Sequence, residues 1–204
     1  MVTHRHTMGM LACIVLAGAG QAAPVEFGFV RVEPHNSPDN PAAQFKMLVD
    51  TVSATQASFK FTNAVGIQSS ISEIYFDDAL NNLLASVASL IQVGTNFSNG
   101  ASPGNLPGGN NLTPAFQADS PFSVDAQGNP SNGINLASDS LDMRMNLKAG
   151  ITFSDLISAL NSGSLRVGMH VRSIGKKEKS DSFVNTPSVV PLPASAWSAL
   201  ATMG

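Results

Sequence analysis

The residues of this sequence best suited to chemistry are three acids, Glu73, Asp77 and Asp78, in a β-rich stretch. Paired carboxylates serve glycoside hydrolysis, and carboxylate oxygens also bind Ca²⁺. Neighbouring residues of a strand point to opposite faces, which argues against a carboxylate pair made from Asp77 and Asp78. We therefore interpret the acids as a strand end and turn. A structural calcium site and catalysis are the alternatives; we predict no metal ligand and no cofactor.

The histidines are also weak candidates for catalysis, because only His35 and His170 follow the first nine residues. A Ser-His-Asp triad would need His170 beside a serine and an aspartate, and the chain has no H-E-x-x-H motif. His170 falls on the polar face of a predicted strand, and His35 lies in a proline-rich loop. We interpret both as surface residues, predict no catalytic residue, and expect a protein that is not an enzyme.

The remaining polar and aromatic candidates have simpler interpretations. Asp119, Asp125 and Asn129 lie in a loop region, where they are ordinary turn residues. The aromatic residues interpreted as core are Phe59, Phe61, Tyr75, Phe76 and Phe153. Sugar-binding sandwiches use exposed Trp and Tyr platforms, and the single Trp and single Tyr here weaken that reading without removing it.

Composition excludes one class of partner. Charged residues make up 12% of the 204 residues and the formal net charge is −3, whereas nucleic-acid binding needs many Lys and Arg contacts. The densest basic cluster, Lys176–Lys179, includes Glu178, and we interpret it as a solvated hairpin tip. We therefore expect no nucleic-acid partner.

The first 22 residues are typical of an export signal. Arg5 precedes an apolar run over residues 10–19, which is too short to span a bilayer, and small residues follow it. We predict cleavage between Ala22 and Ala23; a buried N-terminal helix is the alternative. The lone cysteine, Cys13, lies inside this signal, with a lipid-attachment site as a weaker interpretation. The mature chain then has no disulfide and no thiolate metal site.

Apolar and polar residues alternate in several segments, which is typical of antiparallel strands with one buried face. These segments are residues 45–50, 58–62, 141–148 and 165–172. Residues 71–76 are apolar on both sides, which favours a central strand. Together with one short helix, these segments predict a mainly β fold, an antiparallel two-sheet β-sandwich of the jelly-roll-like kind.

Three other segments are less regular. Thr152 and Asp155 form a capping box for a short helix that Gly163 can end. Residues 79–93 fit a helical stripe and a strand equally well by periodicity. The long region 94–140 is rich in Pro and Gly, and we expect one or two short strands near residues 115–122.

Several segments together resemble PEP-CTERM proteins, exported bacterial proteins with a C-terminal sorting signal that a membrane enzyme called exosortase is thought to process. The similar segments, which span most of the mature chain, are residues 59–63, 70–78, 96–109, 165–171 and 181–185. The resemblance implies a strand over residues 79–93. It also implies association with the outer envelope or with exopolysaccharide, without implying an activity.

The C-terminal tail contains the segment that resembles the sorting motif. Val190, Pro191, Leu192, Pro193 and Trp197 are similar to the sorting motif, although the named motif has Glu where Leu192 stands. The two prolines keep the segment extended, and the tryptophan would sit at a bilayer interface. Residues 194–204 supply about half of the ~20 residues that span a bilayer, and the Arg-rich end is absent. We expect a truncated anchor that meets the membrane only transiently; a disordered tail is the alternative.

The sequence thus predicts a signal peptide over residues 1–22, a β-sandwich over 23–187 and an incomplete sorting tail over 188–204. The expected function is that of a secreted or cell-envelope protein, structural or adhesive in the broad sense. Its expected partners are an exosortase-type enzyme and exopolysaccharide. A secreted module that binds carbohydrate or calcium is the alternative.

Overall fold

The computed structural model describes residues 22–188, which form eleven strands in two antiparallel sheets. The strands are β1 (Val25–Phe27), β2 (Phe29–Arg31), β3 (Phe45–Ser53), β4 (Gln56–Asn63), β5 (Ser70–Asp78), β6 (Leu84–Val93), β7 (Phe97–Asn99), β8 (Ser123–Ala126), β9 (Ser140–Leu147), β10 (Leu165–Ile174) and β11 (Lys179–Asn185). One α-helix, α1, spans Phe153–Ser162. Short 3-10 helices lie at Ala42–Gln44, Gly109–Asn111, Ser120–Phe122 and Pro130–Asn132.

The strands divide into a five-stranded sheet, β1-β3-β4-β9-β6, and a six-stranded sheet, β2-β11-β10-β5-β8-β7. Most connections pass from one sheet to the other, as they do in jelly rolls, although the eleven described strands exceed the eight of that fold. The mainly β, antiparallel two-sheet sandwich with one short α-helix that the sequence predicts is confirmed.

The alternating residues account for the core between the sheets. Each predicted apolar face is buried, from Phe45, Met47 and Val49 on β3 to the alternate residues of β9 and β10. Aromatic rings of the two sheets pack against each other across this core. Phe45 meets Phe183 edge to face at 5.1 Å between ring centroids, and Phe59 meets Phe76 at 5.0 Å.

Strand β5 is buried along its whole length, as its sequence predicts. One face lies in the main core. The other face, which we call the outer face of the six-stranded sheet, is covered in part by the loop of residues 100–118. A second apolar cluster forms there from Val32, Tyr75, Leu106, Phe116 and Val184. Gly168 makes this close cover possible, because a Cβ at that position would lie 2.8 Å from the Leu106 side chain.

The ambiguous segment 79–93 contains strand β6 rather than a helix, as the resemblance implies. The region 94–140 contains two short strands, as expected, but β7 and β8 lie on either side of residues 115–122, because β8 begins only at Ser123. Pro121 within the stretch and Pro114 just before it each lack a backbone donor. In addition, the Asn105 side chain donates to the Phe116 carbonyl and accepts from the Ala118 N–H, so these groups are bound without a strand partner.

The local predictions for α1 and the basic hairpin are confirmed. The Thr152 side chain accepts from the Asp155 N–H, and the Asp155 carboxylate accepts from the Thr152 N–H, while Gly163 ends the helix at a φ of 78°. The Thr152 hydroxyl also donates to the Asp155 carboxylate at 2.6 Å, and this hydrogen bond, with that from the Thr152 N–H second, holds the pKa of Asp155 below its usual value. Residues 176–179 are exposed at the turn between β10 and β11.

Candidate functional site

A cluster of charged residues lies on the outer face of the six-stranded sheet, with Glu73 at its centre. Glu73 is a cross-strand neighbour of His170 on β10. The His170 Nδ1 atom lies 2.6 Å from one Glu73 carboxylate oxygen, and the Arg172 guanidinium lies 3.0 Å from the other. The Glu73 side chain is only 3% exposed. A buried carboxylate is therefore matched by two potential cations from the neighbouring strand.

The sequence-based placement of His170 on the protein surface is wrong, since its side chain is only 15% exposed. His170 does lie on the face of β10 away from the main core, as the alternation predicts. That face is not in water, however, because the loop of residues 100–118 crosses it. His35, by contrast, is exposed as predicted.

The cluster extends into a row of four side chains from adjacent strands. Asp125 on β8 is opposite Glu73, and Ser182 on β11 is opposite His170. A small cavity of about 100 Å³ borders the row and is lined in part by His170 and Ser182. The order of carboxylate, imidazole and hydroxyl is that of a serine nucleophile. Ser182, however, is 94% buried within a strand that pairs on both sides, so it is poorly placed to attack a substrate.

Burial and nearby negative charges raise the pKa of two residues in this cluster. Burial first, and the negative charge of Glu73 second, raise the pKa of Asp125 above its usual value. Burial also raises the pKa of Tyr75, with smaller contributions from the charges of Glu73 and Asp125. The neutral Tyr75 hydroxyl donates to the Pro103 carbonyl at 3.0 Å. The phenol thus anchors the covering loop.

Asp77 and Asp78 act on opposite faces of β5, as the strand geometry predicts. Asp77, on the outer face, pairs with Arg166 and accepts from the Gln117 N–H at 3.1 Å. Asp78, on the core side, accepts from three backbone N–H groups of the following turn. These belong to Asn82, Leu83 and Leu84, at 3.3, 2.9 and 3.1 Å. The interpretation as a strand end and turn fits Asp77 and Asp78, whereas it is wrong for Glu73, which lies in the middle of β5.

Other aspartates bind loop backbone in the same way. Asp181 accepts from the N–H groups of Asn36 and Ser37, at 2.5 and 3.1 Å. Asp139 accepts from those of Asn135 and Leu136, at 3.2 and 2.8 Å. Carboxylates bound by backbone N–H groups form the stronger class of hydrogen bond. The long loops of the sandwich are therefore fixed by acidic side chains.

Asp119 extends this pattern to the segment before β8. Its carboxylate accepts from the Asp78 N–H at 2.7 Å, which joins the covering loop to the end of β5. Burial is the main cause that raises the pKa of Asp119, and the nearby charges of Asp78 and Asp77 add to it. Asp119 is thus more than the ordinary turn residue that its loop position indicates.

Sequence reasoning missed one pattern match and two partners. The segment Gly100–Gly104 (GASPG) fits the G-x-S-x-G pattern of hydrolase nucleophile elbows. That elbow requires a strand-to-helix turn, whereas Ser102 lies in an exposed loop and no α-helix directly follows it. Arg166 and Arg172 were also missed. The register of β10 against β5 places Arg166 opposite Asp77. Arg172 lies opposite Ser70, and only its side-chain geometry brings it to Glu73.

Within residues 22–188, no group of three or more His, Cys, Asp or Glu side chains is arranged to hold a metal ion. No helix in the same range is long and apolar enough to cross a membrane.

Of the predicted processing residues, Ala22 and Ala23 are described, and both are exposed in irregular backbone just before β1. The predicted sorting residues lie outside the described part of the chain, as does Cys13. They are Val190, Pro191, Leu192, Pro193 and Trp197.

The comparisons with known proteins add no relative to this description. No family model, no curated protein and no solved structure matches the chain.

Proposed function

We propose that this chain is an exported, non-enzymatic β-sandwich protein of the cell surface or extracellular matrix, whose tail directs its sorting. One structural observation supports the non-enzymatic part of the proposal. Every buried acid of residues 22–188 holds backbone N–H groups or cationic side chains, so the buried carboxylates serve structure. These acids are Glu73, Asp77, Asp78, Asp139 and Asp181.

Export is supported by the sequence of the first 22 residues and by the exposure of Ala22 and Ala23. A signal peptidase needs an accessible, extended segment at its cleavage site. Carboxylates that fix loops also suit a mature chain without cysteine, because such a chain has no disulfides to fix them. The signal peptide would thus direct the export of the β-sandwich domain.

Sorting rests on the resemblance of Val190–Trp197 to the PEP-CTERM motif. Pro191 and Pro193 would keep this segment extended for an exosortase-type enzyme. Contact with the membrane would be transient. The exported sandwich would then act at the envelope or in exopolysaccharide.

Cell fractionation of a host producing the 204-residue chain tests the export step. Ile14→Arg places a charge in the apolar run and is expected to keep the protein in the cytoplasm. Thr7→Arg is the matched control, because it adds the same charge before the run and is expected to leave export unchanged. Equal export of both variants and the wild type would contradict a signal peptide at this position.

The alternative, a module that binds sugar or calcium, has one structural feature in its favour. A depression of about 520 Å³ is lined largely by hydroxyl and amide side chains. These residues include Ser70, Asn129, Ser131 and Asn135. Tyr75, however, is buried and cannot stack on a sugar. A rise in melting temperature with polysaccharide or Ca²⁺, reversed by EDTA for the metal, would favour this alternative, since a ligand specific for the native state stabilises it.

A further inference from the structure

The two sheets end in four edge strands of very different length. β1, β2 and β7 each have three residues, whereas β6 has ten. An edge strand presents unpaired backbone N–H and C=O groups to other chains, and proteins limit this exposure with short edges, charges or proline. Three edges of residues 22–188 follow that rule by being short. β6 does not.

The composition of β6 leaves its edge unprotected. Leu84–Val93 has the sequence LASVASLIQV, which contains no charged residue and no proline. By contrast, β1 contains Glu26 and β2 contains Arg31, in addition to being short. On the side of β6 away from the core, Ile91 is 43% exposed and Val93 is 53% exposed. Apolar side chains therefore accompany the open backbone.

The part of β6 that is regular enough to pair further is its second half. The register with β9 shifts between Leu84 and Ser86 and again between Val87 and Ser89. Such bulges twist an edge away from new partners. From Ser89 to Val93 the register against β9 is continuous. The Gln92 side chain also binds the backbone N–H and C=O of Phe97, which fixes this end of the strand.

We propose that Ser89–Val93 pairs antiparallel with the same segment of a second copy of this chain, which joins two five-stranded sheets into one of ten strands. This inference goes beyond the proposed function and does not depend on where the protein resides. A two-fold axis places a strand opposite itself, so any charged residue near the axis would meet its own charge. A strand without charges satisfies this condition.

The same geometry limits the assembly to two copies. A chain of copies would need a second long edge to receive β6, and the other three edges of residues 22–188 offer three residues each. Pairing of β6 with β6 uses both long edges and closes the assembly. Stable interfaces use about 20–30 residues a side, far more than Ser89–Val93 supplies, so the dimer is concentration-dependent.

Sedimentation velocity on protein expressed from the full 204-residue sequence, at micromolar to millimolar concentrations, tests the proposal. The wild-type mass is expected to rise with concentration towards that of a dimer. Ile91→Lys is expected to weaken association about tenfold or more, because the two-fold axis repeats the charge in both copies. Val30→Lys is the matched control. Val30 is 50% exposed on the short edge β2, and its variant is expected to associate as the wild type does.

Hydrogen exchange supplies a second measurement that does not depend on a variant. Amides within Ser89–Val93 that face away from β9 are expected to exchange more slowly as the concentration rises. A wild-type protein that stays monomeric at millimolar concentration would overturn the proposal. Equal association of the Ile91→Lys and wild-type proteins would overturn it as well, since the interface would then lie elsewhere.

Discussion

At the scale of single residues, the chain contains two similar charge clusters in different surroundings. Glu73 binds His170 and Arg172 in a nearly buried site, whereas Glu33 lies 2.5 Å from His35 and 3.6 Å from Arg31 with its side chain 63% exposed. Exposed ion pairs contribute little because water and salt screen them, while a buried charge left without its partner is costly. The buried cluster is therefore the one expected to affect stability.

Replacing Glu73 with Gln measures this difference. Glu73→Gln keeps the shape of the side chain but removes the charge that His170 and Arg172 share. We expect it to lower the free energy of unfolding by about 1.5–3 kcal/mol, the range for hydrogen bonds to charged groups. Urea denaturation gives the value. Glu33→Gln is the control and is expected to unfold close to the wild-type midpoint; equal losses in both variants would refute the account.

Asp125 provides a pH-dependent prediction. Its raised pKa means that the folded state holds the proton more tightly than the unfolded chain does. The associated stability is full below the unfolded pKa, about 3.9, and is lost as the pH rises through the folded pKa. Asp125→Asn avoids this loss and is expected to raise the melting temperature at neutral pH, with the gain vanishing in acid.

Asp155 serves as the comparison, because its pKa is shifted in the opposite direction to that of Asp125. Its pKa is lowered by Thr152, so its contribution is present above the unfolded pKa and is lost as the pH falls through the folded pKa. Asp155→Asn is therefore expected to lower the melting temperature at neutral pH and to match the wild type in acid. Shifts of equal size at every pH would contradict both assignments.

Residue patterns in the sequence predict the core better than they predict the charged cluster. Phe59 and Phe61 are buried as expected, because alternation alone decides which face of a strand they occupy. His170 could not be placed, since its burial depends on a loop some 60 residues away that crosses its face of the sheet. Burial by a loop that is distant in the sequence leaves no pattern in the residues of the strand itself.

At the scale of elements, carboxylates fix the segments that join the strands. Asp78 is the clearest case, since its carboxylate binds three consecutive backbone N–H groups where the chain turns from β5 into β6. Those of Leu83 and Leu84 belong to buried residues. Without the carboxylate, these donors would be left without a partner away from water.

Asp78→Ala is therefore expected to lower the free energy of unfolding by roughly 3 kcal/mol, because it leaves two buried donors unsatisfied. Urea denaturation measures the loss. Asp50→Ala is the control. The half-buried Asp50 carboxylate accepts from the Thr51 N–H at 2.7 Å, so we expect a loss of about 1 kcal/mol or less. A loss at Asp78 no larger than that at Asp50 would show that its contacts do not fix the turn.

The elements that the sequence predicts well are those with local signals. The capping box of α1 and the alternation of β3, β9 and β10 each lie within one segment. The stretch 115–122 was misjudged because its backbone groups bind distant partners. The Gln117 N–H, for example, binds Asp77, 40 residues earlier. The conformation of such a stretch depends on contacts with distant segments, and these contacts leave no local signal in a single sequence.

At the scale of the whole molecule, the strands of the sandwich run from Val25 to Asn185, between the two predicted processing segments. The sequence predicts the two-sheet class, because alternation and turn residues recur throughout the chain. The order of strands within each sheet was not predictable, since seven of the ten connections between the described strands cross between sheets.

The intact mass of the protein from envelope and medium fractions of its native host tests this account most directly, because it measures both ends of the chain at once. The account predicts a chain that begins at Ala23 and ends near Pro191. A chain that still begins at Met1 would contradict export through the first 22 residues. A chain from the medium that runs to Gly204 would contradict processing of the tail.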